Sequence, residues 1–335
     1  MAEINWNPGT LLEISGSYWR TCTLHTGVKL DIFTAIGPDT LSCDDINKRI
    51  KADKRGLPLL LNALSAMGLL IKKEEKYSNS PAALTFLSKD SSQYIGFIIM
   101  HHHHLMDSWQ NMGLAVMEGG PVRERASFSD DEWRESFLMG MFNMGMAVAP
   151  KLSKELDLSG CKKLLDFGGG PGTFAIHFCL ANPGLSASVY DLETTRPFAE
   201  KTIQKFKVPD RVEFISGNYI EEEFNFPNAY DAAFLSHILH GEGPEEALDI
   251  IRKAVSALKP GSHIFIHEFI LDNDMAGPLF PALFSINMYL GTEKGQAYSE
   301  AQLSDMLMAN GVTDIRRLSF AGPTQSGVLQ GRAVG

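Results

Sequence analysis

Apolar positions change their spacing partway along this 335-residue chain. In the first half they recur at helical intervals, and from Cys161 onward short apolar runs alternate with amphipathic stretches. Residues 10–35 read as helical, with Leu11, Leu12, Ile14, Tyr18 and Trp19 on one side. Leu41-Ser42-Cys43-Asp44-Asp45 reads as a helix start: Ser42 suits the cap, and Asp44 and Asp45 favour the positive end. Residues 57–70 predict a strongly apolar helix, 72–76 a charged turn, and Tyr77-Ser78 the approach to another short helix. Three helices and then a β-hairpin outline a winged-helix unit. Residues 96–148 read as connecting helices and hold eight of the fourteen methionines. Methionine suits an adaptable apolar pocket, and it equally fills a plain helical core.

The second half predicts strands near 163–168, 187–191, 211–216, 230–236, 262–269, 314–319 and 326–333. Helices fall near 172–182, 195–206, 244–258 and 299–309. Such alternation makes a mostly parallel sheet with right-handed crossovers. The last two strands have no helical segment between them, so the final one is expected to return antiparallel. The fold class is therefore α/β: a Rossmann-like domain with a seven-stranded sheet, preceded by a mainly α winged-helix domain. We place the divisions at 1–95, 96–148 and 149–335.

Composition narrows the partners. A net charge of -10 argues against nucleic acid, which needs a basic face. The expected third helix of the wing unit carries no basic residue, and only Asn62 suits base readout; burial against its own domain or a second subunit explains it better. Cys22, Cys43, Cys161 and Cys179 are scattered, which fits reduced thiols in a cytoplasmic protein. Neither a signal pattern nor a membrane-length apolar run is visible, so no membrane partner is expected.

The strongest chemical signal is the run from Leu164 to Thr173, Leu-Leu-Asp-Phe-Gly-Gly-Gly-Pro-Gly-Thr. It reads as a buried strand, a glycine-packed turn and a helix start, and glycines there let backbone N–H groups approach a ligand closely. The next apolar run ends in Asp191, where such a fold holds ribose hydroxyls. Gly168-x-Gly170-x-Gly172 lacks the third glycine of G-x-G-x-x-G, and no Lys-Ser or Lys-Thr follows, so a P-loop is excluded. A nucleoside of the S-adenosylmethionine (SAM) type, a dinucleotide and a ligand-free tight turn remain as readings of the glycines alone.

Six motifs together narrow this: the glycine turn at 166–172, Asp191-Leu192, Gly217-Asn218-Tyr219, Leu239-His240, Leu258-Lys259-Pro260-Gly261 and Glu268. In this order, the chain resembles the two-domain small-molecule O-methyltransferases over nearly its whole length. These include the plant caffeate and isoflavone enzymes, hydroxyindole O-methyltransferase and bacterial natural-product relatives. The resemblance implies SAM as donor, with S-adenosyl-L-homocysteine as product, and a homodimer formed through the amino-terminal domain. It maps the cofactor onto Asp166, Gly168, Gly169, Gly170, Asp191, Leu192, Gly217, Asn218, Tyr219 and Ser236. Asn218 replaces the usual Asp, and Ser236 falls where many plant members have Lys. Phe137 and Met141, in a segment resembling Phe-Asn-x-Gly-Met, are expected to line the acceptor pocket, and His104 and Met288 are further candidates.

The resemblance also makes His240 the base and Glu268 the acid that orients it. The chemistry asks for both. A phenol, with a pKa of about 10, is mostly protonated at neutral pH, and a histidine near 6.5 takes the proton as the oxygen attacks. A carboxylate holds the imidazole in one tautomer. From the residues alone, His240 also reads as a structural histidine and Glu268 as a solvated carboxylate. Departures are visible. His240-Gly241-Glu242 replaces His-Asp-Trp, and the family's second acid aligns with Ala297. This makes an already acidic or non-phenolic acceptor more plausible. The four histidines His101–His104 admit metal binding, pocket lining or a partly exposed helix face, but no carboxylate or Cys pattern completes a site, and no metal is expected.

The expected function is methyl transfer from SAM to a hydroxyl of a small, largely apolar metabolite. The alternatives are N- or C-methylation or SAM-assisted hydroxylation or decarboxylation on the same fold, and a non-enzymatic winged-helix metabolite sensor.

Overall fold

A computed structural model describes residues 6–125 and 131–334. The chain divides into two compact units with the boundary after Leu105.

The first unit holds α1 (Pro8–Gly16), α2 (Tyr18–Lys29), α3 (Ile32–Ile36), β1 (Thr40–Ser42), α4 (Cys43–Ile50), α5 (Gly56–Ala66), β2 (Leu70–Lys73), β3 (Lys76–Asn79), α6 (Pro81–Phe86) and the start of α7 (Gly96–Gln110). The expected helix over 10–35 is three helices. It breaks at Ser17 and again where Asp31 turns left-handed at φ 53°, a conformation that Asp tolerates. Ser42 caps α4 as expected, accepting from the Asp45 N–H at 3.2 Å. The charged turn is only Glu74-Glu75. Lys72 and Lys73 lie in β2 and Lys76 in β3, and Tyr77-Ser78 is itself strand rather than an approach to a helix. The three strands pair antiparallel in the order β1-β3-β2, the wing. Ile32, Phe33, Ile36, Leu61 and Leu64 are fully buried in its core, whereas Leu12 and Trp19 stand 72% and 69% exposed.

The second unit opens with the rest of α7, then α8 (Met112–Glu118) and the 25-residue α9 (Asp131–Glu155). It continues as β4 (Lys163–Phe167), α10 (Thr173–Ala181), β5 (Ser186–Asp191), α11 (Arg196–Lys205), β6 (Val212–Ser216), β7 (Tyr230–Ser236), α12 (Pro244–Ser256), β8 (Leu258–Glu268), α13 (Leu279–Gly291), α14 (Glu300–Ala309), β9 (Val312–Arg317) and β10 (Gly327–Ala333). The seven strands lie in the order β6-β5-β4-β7-β8-β10-β9. The first five run parallel, and β10 is antiparallel to both its neighbours, as the missing helix before it predicts. Alternation splits the core between two faces. Leu165, Leu235 and Ile266 pack with Ile250 of α12 and Leu303 of α14, whereas Leu164, Phe234 and Phe265 pack with Ile176 of α10 and Ile203 of α11. Helix α13 was not among the expected elements. Its sequence is apolar on all sides, and Pro278 and Pro281 read as breakers; they sit at the cap and in the first turn, where the missing N–H costs nothing.

Candidate active site

Parallel strands end on one edge, and the site is built there. After β4 the chain turns through Gly168, Gly170 and Gly172, all left-handed at φ 72°, 54° and 77°. A Cβ at Gly168 would lie 2.6 Å from Ile238, so only glycine lets this turn sit against the segment after β7. Beneath it, Asp166 is fully buried, and its Oδ2 accepts from the Ala175 N–H at 3.1 Å. Burial pushes this carboxyl up to about 7, against the pull of that hydrogen bond and with help from the Asp191 charge. Asp166 thus ties the turn to α10 from below, while Gly168, Gly169 and Gly170 are half-exposed above it.

Asp191, at the tip of β5, accepts from the Gly170 N–H at 2.8 Å through Oδ2. Its Oδ1 takes the Leu192 N–H at 2.8 Å and the Thr195 hydroxyl at 2.9 Å. Burial raises its carboxyl pKa, and the three donors restrain the rise. The Gly217 N–H donates to the Asp191 carbonyl at 3.0 Å, which brings the Gly217-Asn218-Tyr219 turn alongside. Asn218 Oδ1 accepts from the Ile220 N–H at 2.9 Å, which shapes the turn. The Tyr219 ring sits 6.1 Å from Phe167. Eight of the ten expected cofactor residues therefore line the ends of three adjacent strands. Asp166 lies beneath them, and Ser236, at the end of β7, directs its hydroxyl to His267 Nδ1 at 2.9 Å.

His240 sits in the one-turn 3-10 segment Leu239–Gly241 that follows β7. Glu268 ends β8 next to it and is 3% exposed. Its Oε2 is 2.7 Å from His240 Nδ1, and its Oε1 accepts the backbone N–H of Leu239 at 3.0 Å and of His240 at 3.3 Å. Burial pushes this carboxyl up, but His240 and His237 outweigh it and hold it well below the usual carboxylate range. Glu268 is thus an anion that fixes one imidazole nitrogen of His240.

Three contacts that the sequence did not point to hold the His240 turn. Arg125 donates to the Gly241 carbonyl at 2.6 Å and to both carboxylate oxygens of Glu242. The Tyr298 hydroxyl donates to the Glu242 carbonyl at 2.6 Å. Gly295 passes so close that a Cβ there would meet the His240 carbonyl at 2.7 Å. Ala297, where the second acid is missing, is fully buried, and its N–H donates to Ser285 Oγ at 3.2 Å.

The apolar wall beside His240 is aromatic. The Phe284 ring meets it edge-on at 4.7 Å, and Phe269 packs on Phe284 at 4.5 Å and on Phe280 at 4.9 Å. Sequence reading missed Phe280 and Phe284 because α13 was not foreseen, and it gave Phe269, just past β8, no role. It also missed His237, whose Nδ1 lies 3.5 Å from Glu268 Oε2; the signal was the pair of histidines three apart before a strand-end acid. The donor atoms of His237, His240 and Glu268 gather within 4.8 Å of one another. The 2.7 Å spacing of two of them is a hydrogen bond, shorter than the separation of about 3.3 Å between ligands on a tetrahedral zinc.

Of the expected acceptor-side residues, Phe137 and Met141 lie half-buried on one face of α9, one turn apart. That helix is seated on α10 where Gly145 leaves room for Thr173, which a Cβ would meet at 3.1 Å. Met288 is half-buried on α13. His104 belongs to the first unit, on α7, with its ring 5.8 Å from that of His103. His103 in turn faces His25, at 5.6 Å, and Lys29, whose Nζ is 3.2 Å from its Nε2.

The O-methyltransferase domain model matches residues 114–313, and the O-methyltransferase dimerisation domain model matches residues 12–89. The chain is 29% identical over 330 residues to 3-hydroxy-5-methyl-1-naphthoate 3-O-methyltransferase of Streptomyces sahachiroi, covering 97% of this chain and 95% of that one. An O-methyltransferase family protein from Burkholderia thailandensis superposes with a TM-score of 0.88 at 25% identity, covering 99% of both chains. PigF, a SAM-dependent methyltransferase from Serratia, was solved with S-adenosyl-L-homocysteine and superposes with a TM-score of 0.86 at 23% identity, covering 98% of this chain and all of that one. Taken with the glycine turn, the strand-end acid Asp191 and the histidine–glutamate pair, these likenesses make the chain a member of the O-methyltransferase domain family, a SAM-dependent methyltransferase acting on small aromatic molecules.

Proposed function

We propose that the protein methylates a hydroxyl of a flat, largely apolar aromatic acceptor, with His240 as general base and Glu268 as its orienting acid. The hydrogen bond between His240 Nδ1 and Glu268 Oε2, at 2.7 Å beside the glycine turn, carries this reading. The cradle fits the donor: Gly168 and Gly170 present left-handed, half-exposed backbone at the end of β4, a Cβ at Gly168 would meet Ile238 at 2.6 Å, and Asp191 stands at the neighbouring strand end. When bound, SAM supplies an activated methyl group, so no acid is needed for its leaving group. Gly168–Gly170, Asp191, Leu192, Gly217, Asn218 and Tyr219 would hold it, with Asp166 and Ser236 supporting from behind.

His240 then removes the acceptor proton as the oxygen attacks, and Glu268 stabilises the imidazolium that forms. General-base help of this kind is worth about 10²–10⁴-fold, and alignment supplies most of the rest. Phe137, Met141 and Met288 are the acceptor-side residues, joined by Phe269, Phe280 and Phe284. The hydroxynaphthoate named for the Streptomyces relative is the kind of fused ring such a wall suits. We keep residues 1–95 as the dimerisation part, 96–148 as the acceptor-side connection and 149–335 as the donor-binding part. The exposed face with Leu11, Leu12, Ile14, Tyr18 and Trp19 supports a homodimer.

The buried Ala297, at the position where the resemblance places a second acid, favours a second reading: methyl transfer to nitrogen or carbon. Incubation with methyl-labelled SAM and a panel of phenols, naphthols, amines and quinones separates them. Label on oxygen is expected, and label only on nitrogen or carbon would overturn the first reading.

A further inference from the structure

We propose that His237 is a positioning residue for this reaction: it shares the Glu268 carboxylate with His240 and so limits how strongly that carboxylate supports the base. This rests on the reading of His240 as the base.

His237 is held in place for a purpose its backbone does not favour. It follows β7 at φ 57°, left-handed for a residue with a Cβ. Its N–H donates to the His267 carbonyl at 2.9 Å, and its ring is pinned 4.2 Å from Phe269 and 4.4 Å from His267. The outcome is one carboxylate oxygen facing two imidazoles. Glu268 Oε2 is 2.7 Å from His240 Nδ1 and 3.5 Å from His237 Nδ1, and the latter makes no full hydrogen bond. His267 cannot compete, because Ser236 takes its Nδ1 at 2.9 Å and Ser326 its Nε2 at 3.0 Å.

The charged and titratable groups facing His237 are His267 and Glu268 from β8 and His240 from its own turn. Burial disfavours charge on His237 more than Glu268 favours it, so its pKa is lowered and its ring is neutral at neutral pH. With its proton on Nδ1, the neutral His237 ring offers a donor 3.5 Å from Oε2, longer than a hydrogen bond, and competes with His240 for the carboxylate without adding charge. The second acid that would restore the pull is Ala297 here. The result is a weaker base than a one-histidine, two-acid site provides, matched to a hydroxyl that is already acidic.

Replacement by Phe keeps a ring against Phe269 and His267 and removes the competing donor. His237→Phe is expected to raise the acid-limb pKa of kcat/KM by about half to one unit, a threefold to tenfold change in the ionisation constant. NMR titration of the His240 ring should move equally, with SAM affinity unchanged. His237→Asn, which tolerates the left-handed backbone and restores an N–H donor, should return both readings toward wild type. If His237→Phe does not fold, His237→Ala carries the same test. An unmoved or lowered His240 titration overturns the proposal while leaving the base intact. A fully active His240→Ala enzyme instead overturns the base reading, and the NMR shift still reports on His237.

Discussion

Arg125 forks across Glu242, reaching Oε1 at 2.6 Å and Oε2 at 2.9 Å, and its second nitrogen also takes the carbonyl of Gly241. The Glu242 side chain is 8% exposed and that of Arg125 34%, so the carboxylate depends on this one cation for its burial. Arg125→Met should therefore cost about 1–3 kcal/mol of stability, allowing for screening at the exposed end of the pair. Because Gly241 follows His240 directly, kcat should fall about tenfold with KM for SAM little changed, one barrier increment of about 1.4 kcal/mol. Denaturant melts and steady-state kinetics read the two effects separately. Wild-type kcat in a folded variant would show that the fork serves stability alone.

Gly295 makes a sharper prediction, because its backbone is not left-handed and its requirement is purely spatial. An added Cβ meets Thr292 Oγ1 at 2.5 Å, the His240 carbonyl at 2.7 Å and Gly241 C at 2.9 Å. Two of these are backbone atoms of the turn that aims the imidazole. Gly295→Ala should thus displace His240, reduce kcat at least tenfold and destabilise by about 1–3 kcal/mol, the usual range for overpacking. SAM affinity by calorimetry should hold, since the glycine cradle lies on other strands.

How far the sequence carried is visible in these two residues. Strand-end motifs were legible because a glycine turn after an apolar run, and an acid after the next, are local patterns with one geometric meaning. Asp191 was placed that way, whereas His240 and Glu268 rested on the family resemblance. Arg125 and Gly295 were not, since each acts across more than 50 residues on a turn it does not adjoin in sequence. The aromatic wall was hidden for a different reason. Helix α13 has no polar face to give it a period, so Phe280 and Phe284 could not be placed. In the amino-terminal part, propensity over 10–35 was right for helix but silent about the left-handed break at Asp31.

Asp166 gives the chain a pH dependence of stability. Burial holds its carboxyl at about 7 in the folded chain, against about 3.9 when unfolded. A raised folded pKa means the native state binds the proton more tightly. Its contribution is complete below pH 4 and is lost as pH rises through 7, following the sign of proton linkage. Asp166→Asn keeps an acceptor for the Ala175 N–H and cannot ionise. Its stability should exceed that of wild type at pH 8, and the wild-type decline between pH 5 and 8 should flatten. Chemical denaturation at several pH values measures this, and parallel curves for the two proteins would count against a neutral buried Asp166.

The pair His240 and Glu268 can be tested by asking what each supplies. If His240 is the proposed base, His240→Ala should lower kcat by about 10²–10⁴-fold with SAM affinity unchanged. Glu268→Gln is subtler. An amide oxygen can still accept the Leu239 and His240 backbone N–H groups, so the turn should keep its shape. What is lost is the negative charge 2.7 Å from Nδ1, which stabilises the imidazolium. Without it His240 gives up its proton more readily, so the acid limb of the kcat/KM profile should move to lower pH. The plateau should fall as well, because a weaker base accepts the acceptor proton less well in the transition state. Stability should also change with pH in a defined sense. Glu268 has a depressed folded pKa, so its contribution is present above its unfolded value and lost as pH falls through the folded one. Glu268→Gln should therefore be less stable than wild type at pH 7, with the difference narrowing in acid. An unchanged acid limb in a folded Glu268→Gln enzyme would mean that the carboxylate holds the turn and leaves the base alone.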